Sequence, residues 1–474
     1  MRPGIYNYMK RTGKLRRRDV LKGIGATSTM AAFAGVSTGA SVRPAWAAAH
    51  GNLRAEILKI PGVGMGSPTD ADWQKVGELC LEATKASVQP GEFAGVELTF
   101  MGLNNQNLHN FLFRGFLKPW EAYTGAKINW IDLAQADYNA RLQQSIATGT
   151  VDFDILEMGA PFEGDTAGRG LLDEMPDWVK GQIDMDDYVG YLQAPVGTWD
   201  GKTYRVTIDG DCHTFAYRTD YFGEGSVTGR AEPPKTWQEI NAISKELVGK
   251  EDPLTGLPAH GYLDPLKGWG GFGFYFIENR AAAYAKHPDD PAWLFDPDTM
   301  KPRVNNPAWV RAVGDYVEIV DFSHPGALNF GIVEARKPFV QGHTAMILDW
   351  GDTAQISANP EKSKVVGKVG YFVLPGTMEV WDYVQRQWDR LARPHKAPFL
   401  AFGGWVGSVP KSSKQQAAAW DYLMWYSSPE NSLRDVVTSG TGVNPYRYTH
   451  FTNIDAWTEA LTPRAASEYL GMLR

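Results

Sequence analysis

The sequence predicts an α/β protein of two compact units, and three observations carry that reading. Strand-like and amphipathic helical patterns alternate from residue 96 to residue 159, which implies a parallel sheet with crossover helices. The 427 residues beyond Ala47 exceed what one hydrophobic core usually supports. From residue 197 the texture changes to a hairpin, an extended segment and helices mixed with loops, as a second unit requires.

The chain opens with a segment of a different kind. Arg16, Arg17 and Arg18 precede a soft apolar run from Gly23 to Ala40, and Ala45-Trp46-Ala47 offers small residues at an A-x-A cleavage site. That order is a signal peptide's, and the run is too short and polar for a spanning helix of ~20 apolar residues. Arg17, Arg18, Leu21 and Lys22 resemble the RR-x-x-L-K twin-arginine signal, so residues 1–47 are expected to be removed after export by that machinery. No cysteine stands at the cleavage site to carry a lipid, so a periplasmic location follows.

Residues 48–94 read as an N-terminal helical extension. Trp73, Val76, Cys80 and Ala83 share one helical face, with Thr69 or Asp70 as N-cap and Pro90 beyond the end. Strands follow at 96–103, 127–133 and 153–159, with a helix at 137–149 that stops at Gly149. In such sheets the ligand crevice lies beyond the carboxyl ends of the strands. Attention therefore falls on Asn104, Asn105 and Gln106, on Gln135 and Asp137, and on Glu163 and Asp165. GTWDGKTYRVTI at 197–208 reads as a hairpin turning at Asp200-Gly201. An extended connection at 209–222 leads to a helix with the capping box Thr236-x-x-Glu239. Further strands are expected at 342–347, 368–376 and 402–410, the last followed by a helix capped by Ser412 or Ser413.

Composition narrows the function classes. Beyond the leader the chain has 38 basic and 53 acidic groups, net −15. Such an acidic body argues against nucleic-acid binding, which neutralises phosphates with Lys and Arg. Seventeen Trp and 20 Tyr supply flat surfaces that fill cores or meet sugar rings, and composition does not choose between these uses. Only Cys80 and Cys212 occur, too few to read a disulfide from sequence, and no Cys/His cluster has metal-ligand spacing.

Four stretches, in order, resemble the extracellular solute-binding proteins of ABC importers, in their maltodextrin-binding carbohydrate branch. They are Gly125-Ala126-Lys127 with the following ATG and FDIL, AYRTDYF with PPKTWQEI, FVQGHTAMILDWGD at 339–352, and GGWVGSVPKSSKQQAAAWDYLMWYSSPEN at 403–431. The resemblance implies a two-lobed periplasmic-binding-protein fold, type II-like, with a cleft between lobes and crossings near 211–215, 344–348 and 409–412. It implies lobe 1 from 95–214 plus 345–410, and lobe 2 from 215–344 plus 411–474. It also implies a monomer that binds a sugar, oligosaccharide or polyol and delivers it to an inner-membrane ABC permease with separate ATPase subunits.

A sugar pocket needs aromatic faces for the rings and planar polar side chains that pair with adjacent hydroxyls; buried, the latter reject ligands lacking the match. Trp350, Trp269 and Trp405 are the candidate stacking surfaces, each otherwise a core residue. Asp209 and Asp211, with His213 two residues on, flank the first crossing and otherwise shape a turn. Glu163, Asp165, Asn105, Gln106, Asp352, Asn444 and Arg447 complete the set.

An exported enzyme is the main rival class. No G-x-G-x-x-G run follows a predicted strand, and the body lacks H-E-x-x-H, C-x-x-C and G-x-S-x-G, so no cofactor box, metal or nucleophile is expected. A glycosidase needs only two carboxylates and is not excluded by motif. A polyamine receptor is the other alternative, resting on Asp209, Asp211, Asp349 and Asp352.

Overall fold

The computed structural model describes residues 91–103, 124–193, 197–267, 273–290, 292–397, 401–437, 442–457 and 461–473, with Ile60, Thr69, Ala71, Asp72, Lys75, Trp120 and Glu121. The leader, almost all of the 48–94 extension, and the candidate residues Asn105, Gln106 and Trp269 lie outside these. Within the extension, Thr69 accepts the Asp72 N–H at 3.2 Å, and Asp72 accepts the Thr69 N–H at 2.8 Å.

The first unit begins with β1 (Glu97–Leu103), β2 (Lys127–Leu133), α1 (Gln135–Thr148), β3 (Ile155–Gly159) and α2 (Glu163–Ala167). Gly149 closes α1 in the left-handed conformation, as the sequence predicts. The expected hairpin at 197–208 shrinks to one bridge, Trp199 to Lys202, around the left-handed Asp200 and Gly201, followed by the short β4 (Val206–Thr207).

The chain then crosses to β5 (His213–Arg218), α3 (Trp237–Leu247), β6 (His260–Leu263), α4 (Gly273–Ala285), α5 (Pro307–Val317), α6 (Ile332–Val340) and β7 (Thr344–Trp350). The helix α7 (Asp352–Ala358), β8 (Val369–Phe372) and a hairpin of β9 (Thr377–Asp382) and β10 (Gln387–His395) follow. β11 (Trp405–Ser408), α8 (Gln416–Tyr426), α9 (Pro429–Val437) and α10 (Pro463–Leu473) complete the order.

Two sheets result. The first has order β2-β1-β3-β11-β4, with β1, β2 and β3 parallel and β11 antiparallel to both neighbours. The second has order β6-β7-β5-β8, with β6 and β7 parallel and β5 antiparallel to β7 and β8. This is the two-lobed architecture expected.

The division of the chain differs from expectation in two places. Residues 344–372 were expected to join the first lobe from position 345, yet β7 and β8 flank β5 in the second sheet. The segment near 344–348 is therefore a central strand and not a crossing. Residues from 411 were assigned to the second lobe, yet α8 packs into the first core with Trp420 and Trp425 fully buried, and Asp421 accepts the Trp120 indole N–H at 2.8 Å. An almost wholly apolar helix such as α8 has no exposed face to steer a prediction, so the core it joins is set by tertiary packing. Among the described residues, α10 returns to the second sheet and packs against β8.

The caps show the same local and global split. Thr236 and Glu239 form the predicted reciprocal box at the start of α3. Ser412 and Ser413 do not cap α8, which starts after Gln415. Their hydroxyls bond the Val151 carbonyl and Asp154, pinning the helix entry to the first lobe. Replacing Thr236 by Ala should cost about 1 kcal/mol, read as a lowered urea midpoint at unchanged m.

Candidate functional site

The two sheets meet where their strand ends face each other. Gly159 at the end of β3 pairs with Trp405 at the start of β11, and His213 at the start of β5 pairs with Trp350 at the end of β7. The crossing 208–212 joins these two edges. Backbone must pass very close here, and two glycines allow it. A Cβ on Gly404, whose φ is 99°, would lie 2.0 Å from the Asp209 carbonyl oxygen, and one on Gly351 would lie 2.0 Å from Asn444 Oδ1.

Four of the predicted polar residues come together at this crossing, around Asn444. Its backbone N–H donates to Asp209 at 2.7 Å. Its side-chain amide donates to Asp211 at 2.7 Å and to Asp352 at 3.1 Å, with Asp209 again at 3.4 Å. All four are buried. Arg336 from α6, which sequence reading missed, holds Asp349 in a two-pronged pair at 2.7 and 3.1 Å and Asp352 at 2.5 Å. Buried carboxylates without such donors would be very unfavourable, so the network is a condition of bringing the edges together.

An aromatic seam runs beside the carboxylates. Trp350 donates its indole N–H to the Ala401 carbonyl at 2.9 Å and meets His213 edge-on at 4.2 Å. Tyr275 on α4 lies 6.3 Å from Trp350 and 6.2 Å from Phe402, which in turn lies 5.0 Å from Trp405, itself 6.1 Å from Tyr138. The seam therefore passes from the second sheet to the first through the contact of Tyr275 with Phe402. Trp350 and Trp405 are only 5% and 7% exposed, whereas Tyr275 and Phe402 are half-buried. Tyr275 and Phe402 are therefore the more accessible members of the seam.

Titration follows burial. His213 sits against Phe276 and Trp350, and burial, helped by Arg336, lowers its pKa to about 3, so it is a neutral imidazole whose Nδ1 accepts from the Asn279 amide. Glu278, one turn along α4 from Tyr275, is raised from 4.5 to about 7 by burial alone. Cys212 carries a free thiol that burial, Asp211 and Asp209 push well up. Behind the crossing, Gly210 and Cys212 line a cavity of about 250 Å³ with Tyr191, Pro445, Phe451 and Leu473.

The remaining candidates fall elsewhere. Glu163 is buried against Arg205 at 3.0 Å, its pKa raised by burial with Arg205 opposing, while Asp165 on the same short helix is exposed to solvent. Arg447 does not reach the seam. Its guanidinium lies over Tyr188 at 4.5 Å inside the first lobe and donates to the carbonyls of Ile183 and Ser427. A lone Arg in a polar loop carries no signal of that fate, because its carbonyl partners are set by tertiary structure. Tyr275, Phe402, Glu278 and Arg336 lie within or beside stretches the sequence does single out, the glycine-rich 269–273 and 402–410 and the strand after 339, but periodicity does not tell which side chains face the seam.

Residues 116–460 match the family described as bacterial extracellular solute-binding protein. The chain belongs to that family. Among related solute-binding proteins, the mannitol-binding protein of Pseudomonas aeruginosa is 22% identical over 309 residues, 65% of this chain and 64% of the relative. The erythritol/L-threitol-binding protein of Mycolicibacterium smegmatis is 19% identical over 360 residues, 72% of this chain and 68% of the relative. The aligned part thus spans a little under two thirds of the first and just over two thirds of the second. Among solved structures, a solute-binding protein from Agrobacterium radiobacter K84 in complex with ribitol superposes with a TM-score of 0.62 at 22% identity, covering 80% of this chain and 87% of that one. The maltose-bound MalE3 of T. maritima gives 0.64 at 19% identity, covering 80% and 88%. These likenesses establish the two-lobed fold; the matched relatives are binding proteins rather than enzymes.

Two outcomes test the site's electrostatics. Asn444→Ala strips donors from three buried carboxylates and should cost about 1–3 kcal/mol, measured by chemical denaturation at neutral pH. A carboxyl with a raised folded pKa gives its full stability below its unfolded value of about 4.5 and loses it as pH rises through about 7. Glu278→Gln should therefore match the parent near pH 4 and exceed its melting temperature at pH 8.

Proposed function

We propose that this solute-binding protein is the periplasmic receptor of an ABC importer, exported by the twin-arginine route and closing on a sugar, oligosaccharide or polyol between its two sheets. The observation that carries the reading is the aromatic seam at the facing strand ends, within a family match that spans both lobes. Polyol and sugar are the ligand classes of the relatives and neighbours reported above, and an aromatic seam bordered by buried carboxylates suits both.

In this reading, the contact of Tyr275 with Phe402 is the gate. Ligand inserted there exchanges an aromatic contact for ring or chain stacking on both lobes. Because it touches both, its differential affinity shifts the population toward a closed form that the permease recognises. Hydrolysis of ATP belongs to separate subunits, and the role is binding rather than catalysis. The polyamine alternative loses its support, because Asp209, Asp211, Asp349 and Asp352 already hold Asn444 and Arg336.

Calorimetry against D-mannitol, ribitol, erythritol, maltose and spermidine tests this directly. Binding of one neutral compound that changes little between 50 and 500 mM salt is expected, since only charged ligands are screened. Spermidine binding that weakens with salt, or silence across the panel, would count against it. For whichever neutral compound binds, Tyr275→Ala and Phe402→Ala should each raise Kd about tenfold or more, because each removes a stacking face worth ~1 kcal/mol beyond its area.

A further inference from the structure

The helix α4 carries one acidic group that the network at the crossing does not hold. Glu278 lies three residues beyond Tyr275, so the two side chains share a face of the helix. Tyr275 is the member of the seam that meets both Trp350 and Phe402. Its phenol is pushed up by burial first, then by Glu278 and by Asp211 of the crossing, which places both carboxylates within electrostatic reach of it. Asp211 already accepts from the Asn444 amide at 2.7 Å. Glu278 is half-buried, and among the described residues no donor and no ion-pair partner meets it.

In this Glu278 differs from the other interior carboxylates. Asp209, Asp211, Asp349 and Asp352 are each held by an amide or a guanidinium, and Glu163 by Arg205. The charged groups on the elements around α4 are engaged elsewhere. Arg311 and Asp315 of α5 pair with each other, and Arg311 also with Glu379 of β9. Asp382 of β9 accepts from its own hairpin turn, and Arg280 of α4 itself lies over Trp237 and Tyr262. Burial alone therefore acts on Glu278, lifting its carboxyl to about 7. A half-buried carboxyl left without donors costs stability, and an ionised one accepts only, so what it lacks is a pair of donating hydroxyls. A second group beside the seam is unsatisfied in the opposite sense. His213 is 6% exposed and 4.2 Å from Trp350; its Nδ1 accepts from Asn279, so Nε2 carries the proton and, among the described residues, donates to nothing. A free acceptor together with a free donor suits a hydroxyl, which does both, whereas an ammonium group only donates.

Resting on the receptor reading above, we infer that Glu278 is a specificity-determining residue of the seam, its carboxylate accepting from two adjacent hydroxyls of the solute that stacks on Tyr275. Because hydroxyl donors favour the ionised form, binding expels a proton wherever the free carboxyl still holds one. Affinity then rises with pH through the titration of Glu278 and levels off above it. His213, whose pKa is held at about 3, stays neutral throughout and adds nothing to the profile.

Calorimetry with D-mannitol, ribitol, erythritol and maltose, from about pH 5.5 to about pH 8.5, tests this. For a compound that binds, affinity should rise about tenfold across the range, the advantage of hydrogen bonds to a charged over a neutral group. Near pH 7 the heat should change with the ionisation enthalpy of the buffer, as proton release requires. Glu278→Gln keeps the shape and a neutral head; it should bind at every pH about as weakly as the parent at the acid end, with no buffer dependence. A flat profile in the parent, or a variant with the parent's rise and proton release, would overturn the role of Glu278. The receptor reading survives that result if Tyr275→Ala still weakens binding, whereas a parent silent across the panel overturns both.

Discussion

The two-lobed form of this solute-binding protein rests on three aspartates kept in the interior where the chain passes from one sheet to the other. Asp209 and Asp211 belong to the crossing and Asp352 to the helix after β7, and Asn444 donates to all three. An amide can do this without adding charge. A lysine there would form stronger bonds but would bring a large desolvation penalty of its own. Arg336 supplies a positive charge, shared between Asp349 and Asp352. The result is a joint rich in hydrogen bonds, with glycines at the two tightest approaches. Such a joint fixes the path of the crossing, and a buried apolar cluster runs past it from Phe100 and Val406 of the first sheet to Ala216, Ile347 and Tyr371 of the second.

The aromatic seam depends on that joint. Trp350 and His213 are placed by the pairing of β5 with β7, and Trp405 by the pairing of β11 with β3. Only because the crossing holds these two edges together do Tyr275 and Phe402 touch. In the proposed reading, recognition surface and hinge are one construction, with the aromatic side chains beside the carboxylate network.

Much of this architecture was legible in the chain, for physical reasons. β1, β2, α1 and β3 announce themselves because their periodicity, glycine stop and apolar runs are local properties. The capping box at Thr236 is read from a four-residue window. What failed was assignment between lobes. β7 and β8 resemble the strands of either sheet, and α8 is apolar on every side, so only long-range pairing decides where they go. The site shows the same division. Asp209, Asp211, Asp352 and Asn444 were picked out individually, but that one amide joins three of the carboxylates is a fact of tertiary structure. Arg447 was misplaced because an arginine swallowed by its own lobe looks, in sequence, like one waiting in a loop.

Residues 401–404 all have positive φ, at 51°, 93°, 77° and 99°. Glycines 403 and 404 accept this freely, but Ala401 and Phe402 do so at a cost of ~1–3 kcal/mol each. Phe402 reaches the seam only through this contorted path, and the Ala401 carbonyl is held by the Trp350 indole. The Trp350 indole is thus one of the contacts that hold this strained stretch, with the Ala160 N–H on the Gly404 carbonyl another. The strained edge of the first lobe is therefore held in part by a side chain of the second, so the energy stored in one lobe's backbone depends on a contact that the other lobe makes.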